Sequence, residues 1–194
     1  MNFPRILKKR KGYIDRIKPF MQKSVAKVLT GQRRVGKSFL LYQLIEEILG
    51  EEPDANIIYI NLEDFAFSSL QTAEDLHSYI ISHSKEKVKN YIFIDEIQDI
   101  PGFEKVIRSL LLNEDNDIYI TGSNAKMLSG ELATYLSGRY IEFKIYSLSY
   151  SEFLEFHGLT ESETSYELYS RYGGLPYLLN LPLEDETVNE YLKS

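Results

Sequence analysis

The sequence predicts an α/β fold in which helices cover both faces of a parallel sheet, giving three layers. Short apolar strand patterns alternate with helical patterns between residues 24 and 146, which is the order of β-α-β units. One glycine-rich segment falls between a strand pattern and a helical pattern, as a phosphate-binding loop requires. Hydrophobic residues make up 43% of the 194 residues, which is enough to build one substantial core.

The individual elements follow from the periodicity of the apolar residues. Strands are predicted at residues 24–30, 56–62, 91–96, 117–122 and 140–146. Helices are predicted at residues 38–49, 73–85, 103–112, 125–136 and 163–172. Gly50 follows the first of these helices, and we expect the helix to end before it.

The glycine-rich segment fits the pattern G-x-x-x-x-G-K-[ST] at every fixed position. In such a loop the glycines let the backbone wrap around phosphate, the lysine neutralises the terminal phosphates, and the serine hydroxyl binds Mg²⁺. The pattern therefore predicts a nucleoside triphosphatase. The predicted nucleotide contacts are Gly31, Gln32, Arg33, Arg34, Val35, Gly36, Lys37, Ser38 and the adjacent Phe39.

Two acidic residues, Asp95 and Glu96, end the apolar strand pattern 91–96. A buried strand end is a costly place for paired carboxylates. Beside a phosphate-binding loop they have a chemical purpose, because Asp95 would hold Mg²⁺ through water and Glu96 would polarise the water that attacks the γ-phosphate. The alternative is a strand that simply leaves the core through an acidic turn.

Ser123 and Asn124 follow the strand pattern 117–122. In an open parallel sheet, functional side chains gather at the carboxyl ends of the strands, so these short polar groups could reach the γ-phosphate or the attacking water. The alternative is that they cap the next helix, and the two roles are compatible. Arg139 lies at another element boundary, where an arginine is either a solvated surface charge or a cation supplied to a neighbouring subunit's transition state.

Several of these segments together resemble prokaryotic AAA-type ATPases in which the ATPase domain precedes a C-terminal domain of unknown function. The matching segments are G-x-R-R-V-G-K-S, I-D-E-I-Q, T-G-S-N, L-S-G-R-Y and Y-S-L-S-Y-S-E-F. The resemblance implies binding of ATP or ADP with Mg²⁺, with Lys37, Ser38, Asp95 and Glu96 as the catalytic core. It also implies Asn124 or Ser123 as the first sensor and Arg139 as an arginine finger within a homo-oligomer. Finally, it implies that the strand 117–122 lies between the strands 24–30 and 91–96.

The same resemblance suggests how the chain is organised. Residues 1–158 would form the AAA-type core and residues 159–194 the start of a helical lid. Residues 188–194 resemble an interrupted helix, so we expect the family's C-terminal domain to follow. The turn Gly173–Gly174–Leu175–Pro176 resembles a G-x-P element through which signalling-type relatives contact the base side of the nucleotide with the proline. The alternative is an ordinary break between two helices.

Charge is distributed unevenly along the chain. Eight basic residues and one acidic residue lie within residues 1–23, whereas the whole chain has a formal net charge of −7. This basic leader predicts either contact with nucleic acid or a solvated segment whose apolar residues pack near the adenine. Those apolar residues are Ile6, Ile14, Ile17 and Phe20.

Other classes of protein are disfavoured by composition and by missing motifs. The chain has no cysteine, which excludes disulfides and thiolate metal sites, and His77, His83 and His157 show no metal-ligand spacing. No apolar stretch could span a membrane, so we expect a cytoplasmic protein. No N-K-x-D motif is present, which disfavours a GTPase, and Glu96 suits water activation better than small-molecule phosphorylation. Two functions remain: an ATPase that remodels a partner or serves a nucleic-acid process, and a slow nucleotide switch.

Overall fold

A five-stranded parallel sheet organises the first of two compact units. The computed structural model describes residues 8–122 and 136–193. The first unit contains the described residues up to Gly31 and from Lys37 to Lys144, and the second contains Gln32–Gly36 and the described residues from Ile145 onwards. The predicted fold class, a parallel sheet with flanking helices, is confirmed.

The strands are β1 Ala26–Thr30, β2 Asn56–Asn61, β3 Asn90–Asp95, β4 Asn116–Gly122 and β5 Tyr140–Lys144. They pair in the order β2-β3-β4-β1-β5, and every pairing is parallel. The strand β4 therefore lies between β1 and β3, which confirms the arrangement that the resemblance implies. The strands β1, β3 and β4 are buried along their whole length, as central strands covered by helices on both faces should be.

The register brings the carboxyl ends of the central strands to one edge of the sheet. Thr30 pairs with Gly122, and Asn61 pairs with Asp95. The predicted phosphate-binding segment follows β1, and the acidic pair lies at the end of β3 at this same edge. Parallel pairing therefore gathers predicted site residues from two separate stretches of the chain.

Within the described residues, the α-helices of the first unit are α1 Lys11–Ile17, α2 Lys37–Glu51, α3 Ala73–His83 and α4 Phe103–Leu110. The expected end of α2 before Gly50 is wrong, because the helix continues through Gly50 to Glu51. A glycine in a helix interior costs only about 1 kcal/mol. The apolar face of α2 is fully buried, and its packing outweighs that cost. The helices predicted at 73–85 and 103–112 each end two residues early, and the predicted strand 140–146 ends at Lys144.

Part of the basic leader packs on α2. Ile14 and Ile17 on α1 are buried, and Lys9 and Lys18 form ion pairs with Glu47 of α2 at 2.6 Å each. Phe20 is half-buried and meets Phe143 edge to face, with 5.9 Å between the ring centroids. Ile6 lies outside the described residues. The leader is thus anchored by apolar burial, and two of its lysines share the single negative charge of Glu47.

The second unit is helical. It contains α5 Tyr150–His157, α6 Glu163–Tyr172, a short 3₁₀ helix Pro176–Asn180 and α7 Asp185–Lys193. In the segment L-S-Y-S-E-F, Ser149 caps α5 by accepting a hydrogen bond from the Glu152 N–H, while the Glu152 side chain accepts from the Ser149 N–H. The predicted helix 163–172 is present with the same bounds, whereas the helix predicted at 125–136 lies almost wholly outside the described residues. Within residues 8–122 and 136–193, no helix is long and apolar enough to cross a membrane.

Candidate nucleotide site

Asp95, the last residue of β3, is held by three hydroxyl groups. Its side chain accepts hydrogen bonds from Thr121 on β4, from Tyr59 on β2 at 3.3 Å, and from Ser38 on α2. Asp95 is only 1% exposed, and this burial raises the pKa of its carboxyl above the usual range despite the three donors. A carboxylate in such a place is costly and is suited to binding a cation.

Ser38 and Asp95 have the chemistry of a magnesium site. Mg²⁺ prefers hard oxygen ligands and retains several water molecules, so a protein supplies it with few direct contacts. The hydrogen bond between the Ser38 hydroxyl and Asp95 shows that two oxygen ligands from different elements already lie together. The residues therefore fit Mg²⁺, which Ser38 and Asp95 would hold.

Glu96 follows β3 in a left-handed backbone conformation with φ of 57°. This conformation is uncommon for a residue that is not glycine, and here it is supported by a hydrogen bond from the Glu96 N–H to Thr121 Oγ1 at 3.0 Å. The two carboxylate oxygens of Glu96 have different partners. Oε1 lies 3.4 Å from Lys37 Nζ, and Oε2 accepts a hydrogen bond of 2.6 Å from Gln98 Nε2.

Lys37 is the first residue of α2 and is 4% exposed. Its ammonium group donates to the carbonyl oxygen of Gly31 at 3.2 Å as well as approaching Glu96. A buried ammonium needs a negative partner, and in this conformation Glu96 is that partner. A phosphate group carries more negative charge than a carboxylate and is a stronger partner for such an ammonium.

The backbone of the glycine-rich loop turns sharply at two residues. Arg34 has φ of 69° and Gly36 has φ of 93°, both in the left-handed region. At Gly36 a side chain would be strained by this backbone, which explains the glycine there. Alternation of right- and left-handed backbone conformations forms concave nests that bind anions. The loop conformation is therefore compatible with the predicted phosphate contacts.

In the second unit, the middle of this loop packs on residues of the C-terminal half. Pro176 Cγ lies 3.6 Å from the position that a Cβ of Gly36 would take. Arg34 donates to the carbonyl oxygen of Tyr191 at 3.2 Å, and its guanidinium lies 5.0 Å from the Tyr191 ring centroid. Tyr191 stacks on Tyr177, with 5.0 Å between the ring centroids. Pro176 and α7 are thus neighbours of the loop.

The remaining predicted site residues differ in how far they are exposed to solvent. Val35 is buried, so its side chain packs inside the protein, whereas Gln32 and Arg33 are exposed. Phe39 is 48% exposed and meets the Tyr42 ring edge to face. Arg139 is exposed, and its carbonyl oxygen accepts from the Ala26 N–H at 2.9 Å. Ser123 and Asn124 lie outside the described residues.

Three residues of the site are absent from the sequence-based prediction: Tyr59, Gln98 and Thr121. Thr121 precedes the predicted sensor residues within T-G-S-N, and Gln98 follows the acidic pair within I-D-E-I-Q. The positions of Thr121 and Gln98 inside those segments are the only sequence features that point to a role in the site. Tyr59 has no such signal, because an aromatic residue in a strand pattern is ordinary.

Comparison with known proteins decides the family. A family model described as an AAA domain matches residues 23–154, which include all five strands. The chain belongs to the AAA domain family. The resemblance recognised from the motifs is therefore confirmed.

Relatives of this AAA domain occur in bacteria and archaea. An uncharacterized protein of Haemophilus influenzae is 39% identical over 194 residues, a match covering 95% of this chain and 47% of the relative. An uncharacterized protein of Methanocaldococcus jannaschii is 38% identical over 131 residues, covering 67% of this chain and 28% of the relative. The chain thus spans less than half the length of these two curated relatives.

Solved structures share the fold of this AAA domain at low identity. Saccharomyces cerevisiae Hsp104, in a complex with casein, superposes with a TM-score of 0.62 at 15% identity, covering 90% of this chain and 36% of that chain. Aeropyrum pernix ORC1, in a complex with DNA, superposes with a TM-score of 0.55 at 15% identity, covering 84% of this chain and 50% of that chain. At this level of identity the likeness concerns the fold alone.

Proposed function

We propose that this AAA domain binds ATP or ADP with Mg²⁺ at residues 31–38 and hydrolyses ATP. The observation that carries the proposal is the arrangement at the carboxyl edge of the sheet. There the Lys37 ammonium lies beside the Glu96 carboxylate, and the Ser38 hydroxyl bonds to Asp95. These four groups are the ones that ATP hydrolysis needs, and they come from two elements that are distant in the chain.

Each residue has a distinct role in the proposed reaction. Lys37 would bind the β- and γ-phosphates, and Ser38 and Asp95 would hold Mg²⁺, which would neutralise charge that develops on the phosphate oxygens. Glu96, released from Lys37, accepts a proton from the water that attacks the γ-phosphate. Burial of the site strengthens these electrostatic interactions, because little water competes for the charges. Arg139 would add a cation from a neighbouring subunit.

We further propose that hydrolysis drives or regulates the remodelling of a partner or a process on nucleic acid, in the cytoplasm. The basic leader supports a nucleic-acid partner, since it contains eight of the chain's 22 lysine and arginine residues. The ion pairs of Lys9 and Lys18 with Glu47 count against it, because they neutralise part of that charge.

A slow nucleotide switch is the second candidate, and the second unit contains the observation that favours it. Arg34, in the middle of the phosphate-binding loop, donates to the Tyr191 carbonyl oxygen, and Pro176 lies beside Gly36 of the same loop. If nucleotide binding alters this loop, the contact between Arg34 and Tyr191 of α7 would therefore change as well. Turnover measured with and without DNA separates the two candidates. A switch turns over slowly in both conditions, whereas a partner-dependent ATPase accelerates.

Lys37→Ala tests the binding site. The variant loses the cation on the phosphates, so calorimetry should show Mg-ATP affinity reduced beyond detection. Lys105→Ala, a change of an exposed lysine on α4, is the matched control and should bind normally. Unchanged affinity of Lys37→Ala would contradict the site.

Glu96→Gln tests the chemistry separately from binding. The amide keeps the shape of the side chain but cannot accept the proton of the water. The variant should bind ATP and hydrolyse it at least about 100-fold more slowly in a single-turnover measurement. A rate close to that of the unmodified protein would mean that another group is the base.

A further inference from the structure

The side-chain amide of Gln98 contacts Glu96 through its nitrogen, and its oxygen has no hydrogen-bond partner among the described residues. Nε2 donates to Glu96 Oε2 at 2.6 Å, while Oε1 is shielded from solvent and has no hydrogen-bond partner among the described residues. A buried acceptor without a partner costs about 1–3 kcal/mol. Turning the amide over would place oxygen against the carboxylate, which is repulsive. The contact with Glu96 therefore determines how this amide is oriented.

The remaining restraints on Glu96 show what this contact can do. The backbone N–H of Glu96 is bound by Thr121, and Oε1 faces Lys37, so Gln98 is the described partner that holds Oε2. A bound nucleotide would compete with Glu96 for Lys37, because its phosphates are negatively charged. Oε1 of Glu96 would then lose its partner, whereas Oε2 of Glu96 would still accept from the Gln98 amide.

We propose that Gln98 is a positioning residue that aligns Glu96 for attack by water, so that Oε1 is the oxygen that accepts the proton. This role rests on the proposed hydrolysis. Gln98 lies two residues beyond the base, on the 3₁₀ turn Ile97–Asp99, and its hydrogen bond supports the orientation of the carboxylate. Misplacement of a reacting group by about 1 Å can cost about 100-fold in rate.

Two variants remove the donor in different ways. Gln98→Ala deletes the side chain, and Gln98→Glu keeps its size but replaces the donor with a second carboxylate. Both should bind Mg-ATP within about twofold of the unmodified protein, and both should hydrolyse it about 10- to 100-fold more slowly in single turnover. Normal hydrolysis by Gln98→Glu would overturn the proposal.

The double variant Glu96→Gln with Gln98→Ala separates positioning from a structural role. If Gln98 acts through Glu96, adding Gln98→Ala to Glu96→Gln should change the remaining rate less than twofold, because the base is already absent. A loss of the same factor in both backgrounds would show a structural defect and overturn the proposal.

An NMR spectrum tests the hydrogen bond between Gln98 and Glu96 directly, without a measurement of hydrolysis. The side-chain amide signal of Gln98, assigned by its absence in Gln98→Ala, should shift in the ¹H–¹⁵N spectrum of Glu96→Gln because its acceptor loses its charge. A signal that does not respond would overturn the proposal whatever the rates are. A protein that binds ATP but never hydrolyses it would instead contradict the proposed function, and the spectrum would still show whether Gln98 holds Glu96.

Discussion

At the scale of single residues, Thr121 joins the two acidic residues of the site. Its hydroxyl donates to Asp95 and accepts from the Glu96 N–H, so one oxygen on β4 orients both the proposed metal ligand and the proposed base. Thr121 is fully buried. The loss of its hydroxyl would leave a donor and an acceptor in the core without this partner.

Thr121→Val should therefore lower both stability and turnover. Valine has nearly the same shape, so the free energy of unfolding should fall by about 1–3 kcal/mol for the unpaired groups rather than for a cavity. Thr121→Ser keeps the hydroxyl and is the control. Urea unfolding and single-turnover hydrolysis are the measurements. Equal results for the valine and serine variants would contradict this role.

At the scale of elements, the turn before the 3₁₀ helix is fixed by contact with the start of α5. The Leu148 N–H donates to the Gly174 carbonyl oxygen at 2.6 Å, and a Cβ on Gly174 would lie 2.2 Å from the Leu148 carbonyl oxygen. Only glycine permits this approach. The contact joins L-S-Y-S-E-F to the turn that contains Pro176. Both segments therefore have a structural role in packing against each other.

Gly174→Ala should destabilise the protein by about 2 kcal/mol or more, because backbone atoms must move to admit the methyl group. Gly50→Ala is the matched control. Gly50 lies within α2 with no other atom within 4 Å of its added Cβ, so that variant should gain about 0.5–1 kcal/mol. Thermal unfolding of the two variants should show shifts of opposite sign. A neutral Gly174→Ala would mean that the turn is not closely packed.

Strands β1 and β4 also share a buried ion pair between Lys27 and Asp117, both with fully buried side chains. Asp117 accepts further hydrogen bonds from the Gln22 N–H at 2.7 Å and the Tyr119 hydroxyl at 2.8 Å. Burial lowers the pKa of Lys27 below its usual value, although Asp117 opposes the shift. The pair connects β1 and β4 near their amino ends. The candidate site lies at the other, carboxyl ends of the strands.

Lys27→Met should cost about 3–5 kcal/mol of unfolding free energy, because it leaves a buried carboxylate without its cation. Lys9→Met is the control, since Lys9 forms an exposed pair with Glu47 that is worth less than about 1 kcal/mol. Denaturant unfolding of the two variants measures the difference. Losses of similar size would contradict the distinction between buried and exposed pairs.

At the scale of the whole molecule, the net charge affects self-association. The chain has a formal net charge of −7, which opposes self-association unless a specific interface overcomes it. Arg139 is exposed where β5 begins, so it is accessible to a second copy. The proposed in-trans role of Arg139 therefore predicts a concentration-dependent activity.

Specific activity should rise with protein concentration, and Arg139→Ala should reduce turnover by about 1,000-fold. Mixing Arg139→Ala with Lys37→Ala should restore part of the turnover, because the first variant supplies an intact nucleotide site and the second supplies the arginine. Arg108→Ala, another exposed arginine, is the control. If activity per subunit of the full-length protein is constant on dilution and the mixture stays inactive, Arg139 has no role in trans.

The sequence by itself determined the fold class and the family, and it predicted the main residues of the candidate site. The loop from Gly31 to Ser38 and the acidic pair Asp95 and Glu96 are recognisable because their chemistry depends on neighbouring residues at fixed spacing. The order of the central strands also followed, through the resemblance to a known family. Element ends were less predictable, as at Gly50, where burial of the rest of α2 outweighs a local signal.

Only the tertiary structure decided which groups orient these residues. Thr121 meets Glu96 across 25 positions of the chain, Lys27 meets Asp117 across 90, and Arg34 meets Tyr191 across 157. Such partners leave no local pattern, because the parallel sheet and helix packing bring them together from separate segments. A polar residue in a strand has the same sequence signature whether it faces a carboxylate or solvent, and the three-dimensional fold distinguishes the two.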